Sequence, residues 1–410
     1  MSGHRARLGR AHVQHDGWWG LATRWPLACV VGYLDILAVA ALAWRGPDAR
    51  PTPTHSFALL IPAHDEETTL PRTLASIAHL DYPRHLVEVH VVADNCTDQT
   101  ALIAWRHGAR VHVRTDTREC GKGAALGWLI DRVTGRRHDA YVVVDADTVV
   151  SANLLRVFDA HLARGDEAIQ AYYGTEPGDG PMAALRDLAF ALYNGVRPRG
   201  RDVLGLSAGL HGNGMCLSAA LLRHVGWDVS GLAEDAELHL RLVEAGVRVR
   251  YAGEASVTAL TPPDLGSAHS QHLRWERGRL QLLRADGPRL LWRGLRRRDL
   301  VLSEAIAQQV VPPFSLITAF VAASALLSLH RCGRSARRLS ALTAFGHVAY
   351  VVVGLRLTNA SRPTYLALGR APAYAAWKVW VYLTAAGGIG QRTPWVRTDR
   401  APGSPGARER

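Results

Sequence analysis

The stretch Tyr141-Val-Val-Val-Asp-Ala-Asp147 decides the fold. Four β-favouring residues in an unbroken apolar run read as a strand covered on both faces, and two carboxylates one residue apart follow at once. Three more short runs of the same kind precede it: Phe57–Pro62, Val87–Ala93 and Ala109–Arg114. Helical stripes lie between them. Leu70, Leu74, Ile77 and Leu80 recur at spacings of four and three, and Leu126, Leu129, Ile130 and Val133 form a second stripe. Strand alternating with helix predicts an α/β domain with a mostly parallel, Rossmann-like sheet and helices on both faces. Such sheets bind ligands beyond the carboxyl ends of their strands.

That edge is where the chemistry-bearing residues fall. Asp145 and Asp147 offer hard oxygen ligands suited to one Mg2+ or Mn2+, which would neutralise phosphate charge. A D-x-D alone is weak, because two solvated turn carboxylates look the same. Asp94 ends the second strand in D-N-C-T-D, and Asp65 and Glu66 follow the first. Each could accept hydrogen bonds from a base or ribose, and each could equally be a helix cap. Lys122 sits in C-G-K-G, a glycine-flanked turn opening a helix, where an ammonium and a helix N-terminus both favour phosphate. Glu234 and Asp235 open another helix, whose dipole is expected to keep a carboxylate ionised for use as a base. Gln271, Arg274 and Trp275, in Q-H-L-R-W, share one helical face and offer an amide, a phosphate-matching fork and a flat ring for stacking on a sugar.

The order Asp94, Asp145–Asp147, Glu234–Asp235 and Q-x-x-R-W resembles the family 2 glycosyltransferases. The likeness is to the membrane-bound branch with cellulose, chitin and hyaluronan synthases, over about residues 56–280. The resemblance implies a GT-A fold and inverting transfer from a nucleotide sugar, expected to be a UDP-sugar, to a hydroxyl acceptor, a saccharide or a lipid-linked one. It implies that Glu66, Asp94, Lys122 and Asp145 bind the donor, that Asp145 and Asp147 hold the metal, and that Asp235 is the general base. Glu234, Gln271, Arg274 and Trp275 would frame diphosphate and acceptor. The segment His211-Gly-Asn-Gly-Met-Cys216 departs from the F-C-G-S type of cellulose synthases, which leaves polymer synthesis and single addition to a lipid both open. A catalytically dead membrane scaffold would be expected to have lost Asp145, Asp147, Asp235 or Arg274, and none is lost.

Composition agrees. The 410 residues carry a formal net charge of +12, yet no nucleic-acid module accompanies it, so membrane lipids and a phosphate-bearing substrate are the expected partners. Five scattered cysteines contain no C-x-x-C pair and suggest neither zinc nor a disulfide framework. Of 48 basic residues only Lys122 and Lys378 are lysines. The expected organisation is a basic segment 1–24, a transmembrane helix 25–44, the catalytic domain 56–285 and a basic interfacial segment 286–309. Two transmembrane helices at 310–357, an interfacial helix region 363–390 and a loose tail 391–410 would follow. The expected location is a cell membrane, multi-pass, with the catalytic domain cytoplasmic. Arg5, Arg7, Arg10 and Arg24 ahead of the first apolar segment run against that orientation.

Overall fold

The computed structural model describes residues 22, 24–47, 52–134, 138–176, 178, 180–229, 231, 233–260, 265–329 and 333–387, with 265–272, 382 and 385–387 described by backbone alone. Most of the basic segment 1–24 and all of the tail 391–410 fall outside these.

The chain enters on α1 (Trp25–Ala41) and reaches β1 (Phe57–Ala63), the middle of the first half of the sheet. β1 pairs in parallel with β2 (Val87–Asp94) on one side and β4 (Ala140–Val143) on the other, and β3 (Arg110–Arg114) extends β2 in parallel. Alternation sorts the residues of β1 between two cores. Phe57, Leu59 and Ile61 pack under α2 (Leu70–Ala78), while Ala58 and Leu60 pack under α4 (Lys122–Val133). Both faces of the strand are dry, which is why its sequence reads as one apolar run. The helix α3 (Thr100–Arg106) links β2 to β3.

The second half corrects the expectation of a mostly parallel sheet. β5 (Thr148–Val150), β6 (Ala168–Thr175), β7 (Met215–Ser218) and β8 (Val249–Ala259) complete an eight-stranded mixed sheet, in the order β3-β2-β1-β4-β7-β6-β8-β5. β7 runs antiparallel to both β4 and β6, and β5 runs antiparallel to β8, whereas β6 and β8 are parallel. A turn through Gly212 and Gly214, both at positive φ, reverses the chain into β7 beside β4. In chain order the helices here are α5 (Leu154–Leu162), α6 (Pro181–Ala191), α7 (Arg197–Val203), α8 (Ala219–Val225) and α9 (Glu234–Glu244). A π-helical turn, Leu192–Val196, joins α6 to α7.

A helical layer follows: α10 (Leu265–Ala285), α11 (Gly287–Arg297), α12 (Leu300–Val310), α13 (Phe314–Ser328), α14 (Arg334–Leu357), α15 (Arg362–Ala367) and α16 (Ala371–Gly387). Val31, Leu34 and Ala38 of α1 share an apolar core with Leu192, Ile317 and Tyr350, so the first apolar helix packs against the last ones. A Cβ on Gly200 would lie 2.2 Å from the Leu37 carbonyl oxygen, so only glycine lets α7 cross α1 this closely.

The membrane expectation changes in detail. Among the described residues α14 is the one helix long and apolar enough to cross a bilayer. α1 has 17 residues, and the first of the two spans expected within 310–357 is broken: α12 and α13 meet at 72° where Pro312 and Pro313 interrupt the helix.

Candidate active site

The D-A-D turn is positioned by neighbours that its sequence does not reveal. Thr73 donates its hydroxyl to the Ala146 carbonyl (2.8 Å) and accepts the Thr148 amide (3.1 Å). Buried Asn213 accepts the Asp145 amide (3.1 Å) and donates to the Thr148 hydroxyl (2.8 Å). The turn is thereby tied to α2 on one side and to the β7 approach on the other. Asp145 then faces a cavity of about 360 Å³, while the Asp147 side chain is 5% exposed and does not line it.

Lys122, the first residue of α4, reaches across to Asp145. Its ammonium lies 2.5 Å from Asp145 Oδ1 and 3.7 Å from Glu234 Oε1, and it donates to the Gly212 carbonyl. Burial works against the charged lysine, but Asp145 and then Glu234 outweigh it and hold its pKa above the ordinary value. Gly212 is close-packed here: a Cβ on it would lie 3.3 Å from Lys122 Nζ and 3.4 Å from Asp235 Oδ2.

Glu234 and Asp235 open α9 as expected, and both line the cavity. Asp235 Oδ1 accepts the Ala236 amide at 2.8 Å. Its protonation departs from expectation, however. Burial first, and the neighbouring Glu234 carboxylate second, push its pKa up to about 7, outweighing the helix N-terminus that was expected to keep it ionised. A carboxylate titrating near neutrality can take a proton from an acceptor and release it again.

Arg274 and Trp275 of α10 line the cavity as well, and the Trp275 ring lies 6.4 Å from that of Phe190. The helix carrying Gln271 is described, but its side chain lies outside the described residues. Asp94 and Glu66 are placed elsewhere. Asp94 is buried in an ion pair with Arg114 (2.7 Å), and the Glu66 carboxylate receives the Thr69 hydroxyl (2.6 Å) at the start of α2. Neither lines the cavity.

Sequence reasoning missed the cavity's basic side. Arg186, Arg197, Arg279 and Lys378 join Arg274 there. Both lysines of the chain therefore open on one cavity, a convergence that their scarcity alone could have suggested. Away from it, ligand-type atoms of Glu88, His90 and His138, and of Asp65, Cys96 and Asp98, come within 4.8 Å of one another, two clusters that sequence spacing did not reveal. The four described cysteines are free.

Comparison with known proteins bears on the fold and on the family. A model of the family described as "Glycosyltransferase like family 2" matches residues 53–278, more than half of the chain. The catalytic subunit of cellulose synthase 1 (UDP-forming) of Komagataeibacter xylinus is 26% identical over 259 residues, 60% of this chain and 33% of that protein. The β-monoglucosyldiacylglycerol synthase of a Synechocystis species is 27% identical over 241 residues, 55% of this chain and 49% of that one. The chain thus spans half the length of these curated relatives or less. Among solved structures, a mannosyltransferase from Pyrobaculum calidifontis in complex with GDP-Man and Mn2+ superposes with a TM-score of 0.53 at 18% identity, covering 91% of this chain and 97% of that one. That likeness shows the fold, which is GT-A-like.

Proposed function

This chain belongs to glycosyltransferase family 2, and from that premise we propose that it transfers a sugar, with inversion, from a nucleotide-sugar donor to an acceptor hydroxyl in polysaccharide or glycolipid synthesis. The observation that carries the reading is the convergence of Lys122, Asp145, Glu234 and Asp235 on one cavity at the carboxyl end of β4. The cationic Lys122 at the start of α4 suits the donor diphosphate. Uridine nucleotides are the first donors to test, because the cellulose synthase relative is UDP-forming.

The donor atoms at this edge suit a hard divalent cation. Asp145 faces the cavity, with the Glu234 and Asp235 carboxylates lining it as well, and such oxygen ligands favour Mg2+ or Mn2+ over softer metals. Asp145 would hold it from the cavity wall, and Asp147, buried in the same turn, would have to swing outward to join it. When bound, the metal supplies positive charge against the diphosphate. The remaining work falls to the chain's own groups. Asp235 accepts the proton of the acceptor hydroxyl as its oxygen bonds to the anomeric carbon. Lys122 stabilises charge on the departing nucleoside diphosphate, and Arg274 and Trp275 hold diphosphate and sugar in register. The apolar helices α1, α13 and α14 are read as the chain's membrane attachment.

The test incubates purified protein with a panel of nucleotide sugars and scores nucleotide release. Release from one donor, lost in Asp235→Asn, is expected. A chain that releases no nucleotide from any donor does not have this activity.

A further inference from the structure

Beside the catalytic cavity lies a second one, of about 280 Å³, enclosed by α6, α13, α14, α16 and the residues before α16. Its walls are almost entirely apolar: Leu185, Leu188, Val351, Leu355 and Leu368 are typical. The two cavities adjoin, because Ala189, Phe314, Ser315 and Tyr374 line both. The apolar slot also reaches the outside. Val348 and Val352 line it and are 60% and 43% exposed, and they continue a surface stripe through Leu342 and Phe345 along α14.

The basic wall of the catalytic cavity stands at this junction. Arg197 is 2% exposed, lines the catalytic cavity, and its Nη2 has no hydrogen-bond partner among the described residues. Its Nε donates to the Tyr350 hydroxyl at 3.4 Å, and its guanidinium lies 5.1 Å from the Tyr193 ring. The Tyr350 ring in turn lies 5.5 Å from that of Phe314, a wall of both cavities. A buried guanidinium that enters no ion pair among the described residues is a costly arrangement unless an anion completes it. Lys378 lines the same cavity.

We propose that the acceptor is an anionic lipid, its hydrocarbon chain in the slot and its phosphate-bearing head against Arg197 and Lys378, with one head-group oxygen presented to Asp235. The proposal rests on the glycosyltransferase reading; it narrows the acceptor to an anionic lipid and extends the attacking group from a hydroxyl to a phosphate oxygen. Charge opposite Arg197 selects an anionic head, and continuity with the slot requires a long chain on that head. A head-group oxygen forms the new bond to the anomeric carbon of the sugar. The bond from that carbon to the donor diphosphate oxygen breaks, and the nucleoside diphosphate leaves with the electron pair. A hydroxyl head gives its proton to Asp235, whereas a head that attacks through its own phosphate oxygen brings none.

The experiment uses the full chain in detergent micelles with the nucleotide-sugar panel and five acceptors: dioleoylphosphatidylglycerol, a polyprenyl phosphate, dioleoylglycerol, glycerol phosphate and a soluble oligosaccharide. Transfer to one of the two anionic lipids is expected, with a KM at least about tenfold below that of the uncharged lipid or the chainless head. The two anionic arms separate the sources of phosphate: only phosphatidylglycerol attacks through a hydroxyl and needs Asp235. Val348→Trp should raise the KM for the lipid about tenfold while the KM for glycerol phosphate stays put. Arg197→Gln should remove the preference for the anionic head, and Arg197→Lys should restore part of it. Because a variant at buried Arg197 could fail to fold, the wild-type comparison stands by itself. Equal use of dioleoylglycerol, glycerol phosphate or the oligosaccharide, or nucleotide release without transfer to either anionic lipid, overturns the proposal. Absence of nucleotide release with every donor and acceptor instead removes the glycosyltransferase reading beneath it.

Discussion

The Lys122 ammonium lies 2.5 Å from the Asp145 carboxylate and 3.7 Å from that of Glu234, so the expected phosphate ligand and the expected metal ligand form one electrostatic unit. Removing the cation leaves the carboxylates facing each other without relief. Lys122→Met is therefore expected to weaken nucleoside diphosphate binding by about 1–3 kcal/mol, the scale of a charge-assisted contact. Calorimetric titration reads this directly, and unchanged affinity would reduce Lys122 to a structural strut between α4 and the β7 approach.

Asp235 and Glu234 separate by their effect on rate and on pH. A base must be unprotonated, so kcat should rise with pH through about 7, where burial and Glu234 place the Asp235 pKa. Glu234→Gln removes the like charge beside it, so that limb should move to lower pH while most of the rate survives. Asp235→Asn should lose about 10²–10⁴ in kcat with donor affinity retained. A dead Glu234→Gln enzyme beside an active Asp235→Asn one would reverse the two roles.

Metal dependence is the third expectation. Turnover should vanish with excess chelator and return with Mg2+ or Mn2+, and Asp145→Asn and Asp147→Asn should each raise the metal concentration needed for half-maximal rate. Full turnover in chelator would remove the metal from the reaction.

A fourth prediction concerns the joint between the sheet and the apolar helices. Arg201 of α7 pairs with Glu304 of α12 at 2.8 Å, and Tyr33 of α1 donates to the same carboxylate oxygen. Three helices far apart in sequence meet at this one largely buried carboxylate. Glu304→Ala strands the Arg201 guanidinium and should cost about 3–5 kcal/mol, whereas Tyr33→Phe should cost about 1 kcal/mol. Thermal unfolding of the detergent-solubilised protein checks both, and equal midpoints for wild type and Glu304→Ala would show that the pair adds nothing.

How far the sequence carried depends on whether a feature leaves a local signature. β1, β2 and β4 announce themselves because both faces are dry, and Glu234, Asp235, Arg274 and Trp275 because their motifs survive intact. β7 does not: four residues, Met215 to Ser218, follow a glycine-rich turn and pair with strands distant in sequence, so no local pattern marks them as a strand. Arg197 was invisible for another reason. It follows the π-helical turn at Leu192–Val196, which resets the helical phase, so no periodicity predicts which way it points. The ion pair of Asp94 was hidden because its partner, Arg114, lies on the next strand and only the sheet brings them together. The break at Pro312 and Pro313 was visible as prolines, but its 72° angle was not.

The arginine-dominated composition has a practical consequence. Apart from the terminal amine, every primary amine of this chain opens on the same cavity, so an amine-acylating reagent becomes a site-directed label. Lys378 should react first: burial, with Arg279 adding to it against Glu276, brings its pKa down to about 8, whereas Lys122 stays protonated beside Asp145. Mass spectrometry of the Lys378 peptide with and without a candidate molecule then reports occupancy of the basic wall without any assay of turnover. The chain thus contains its own reporter for finding what it binds.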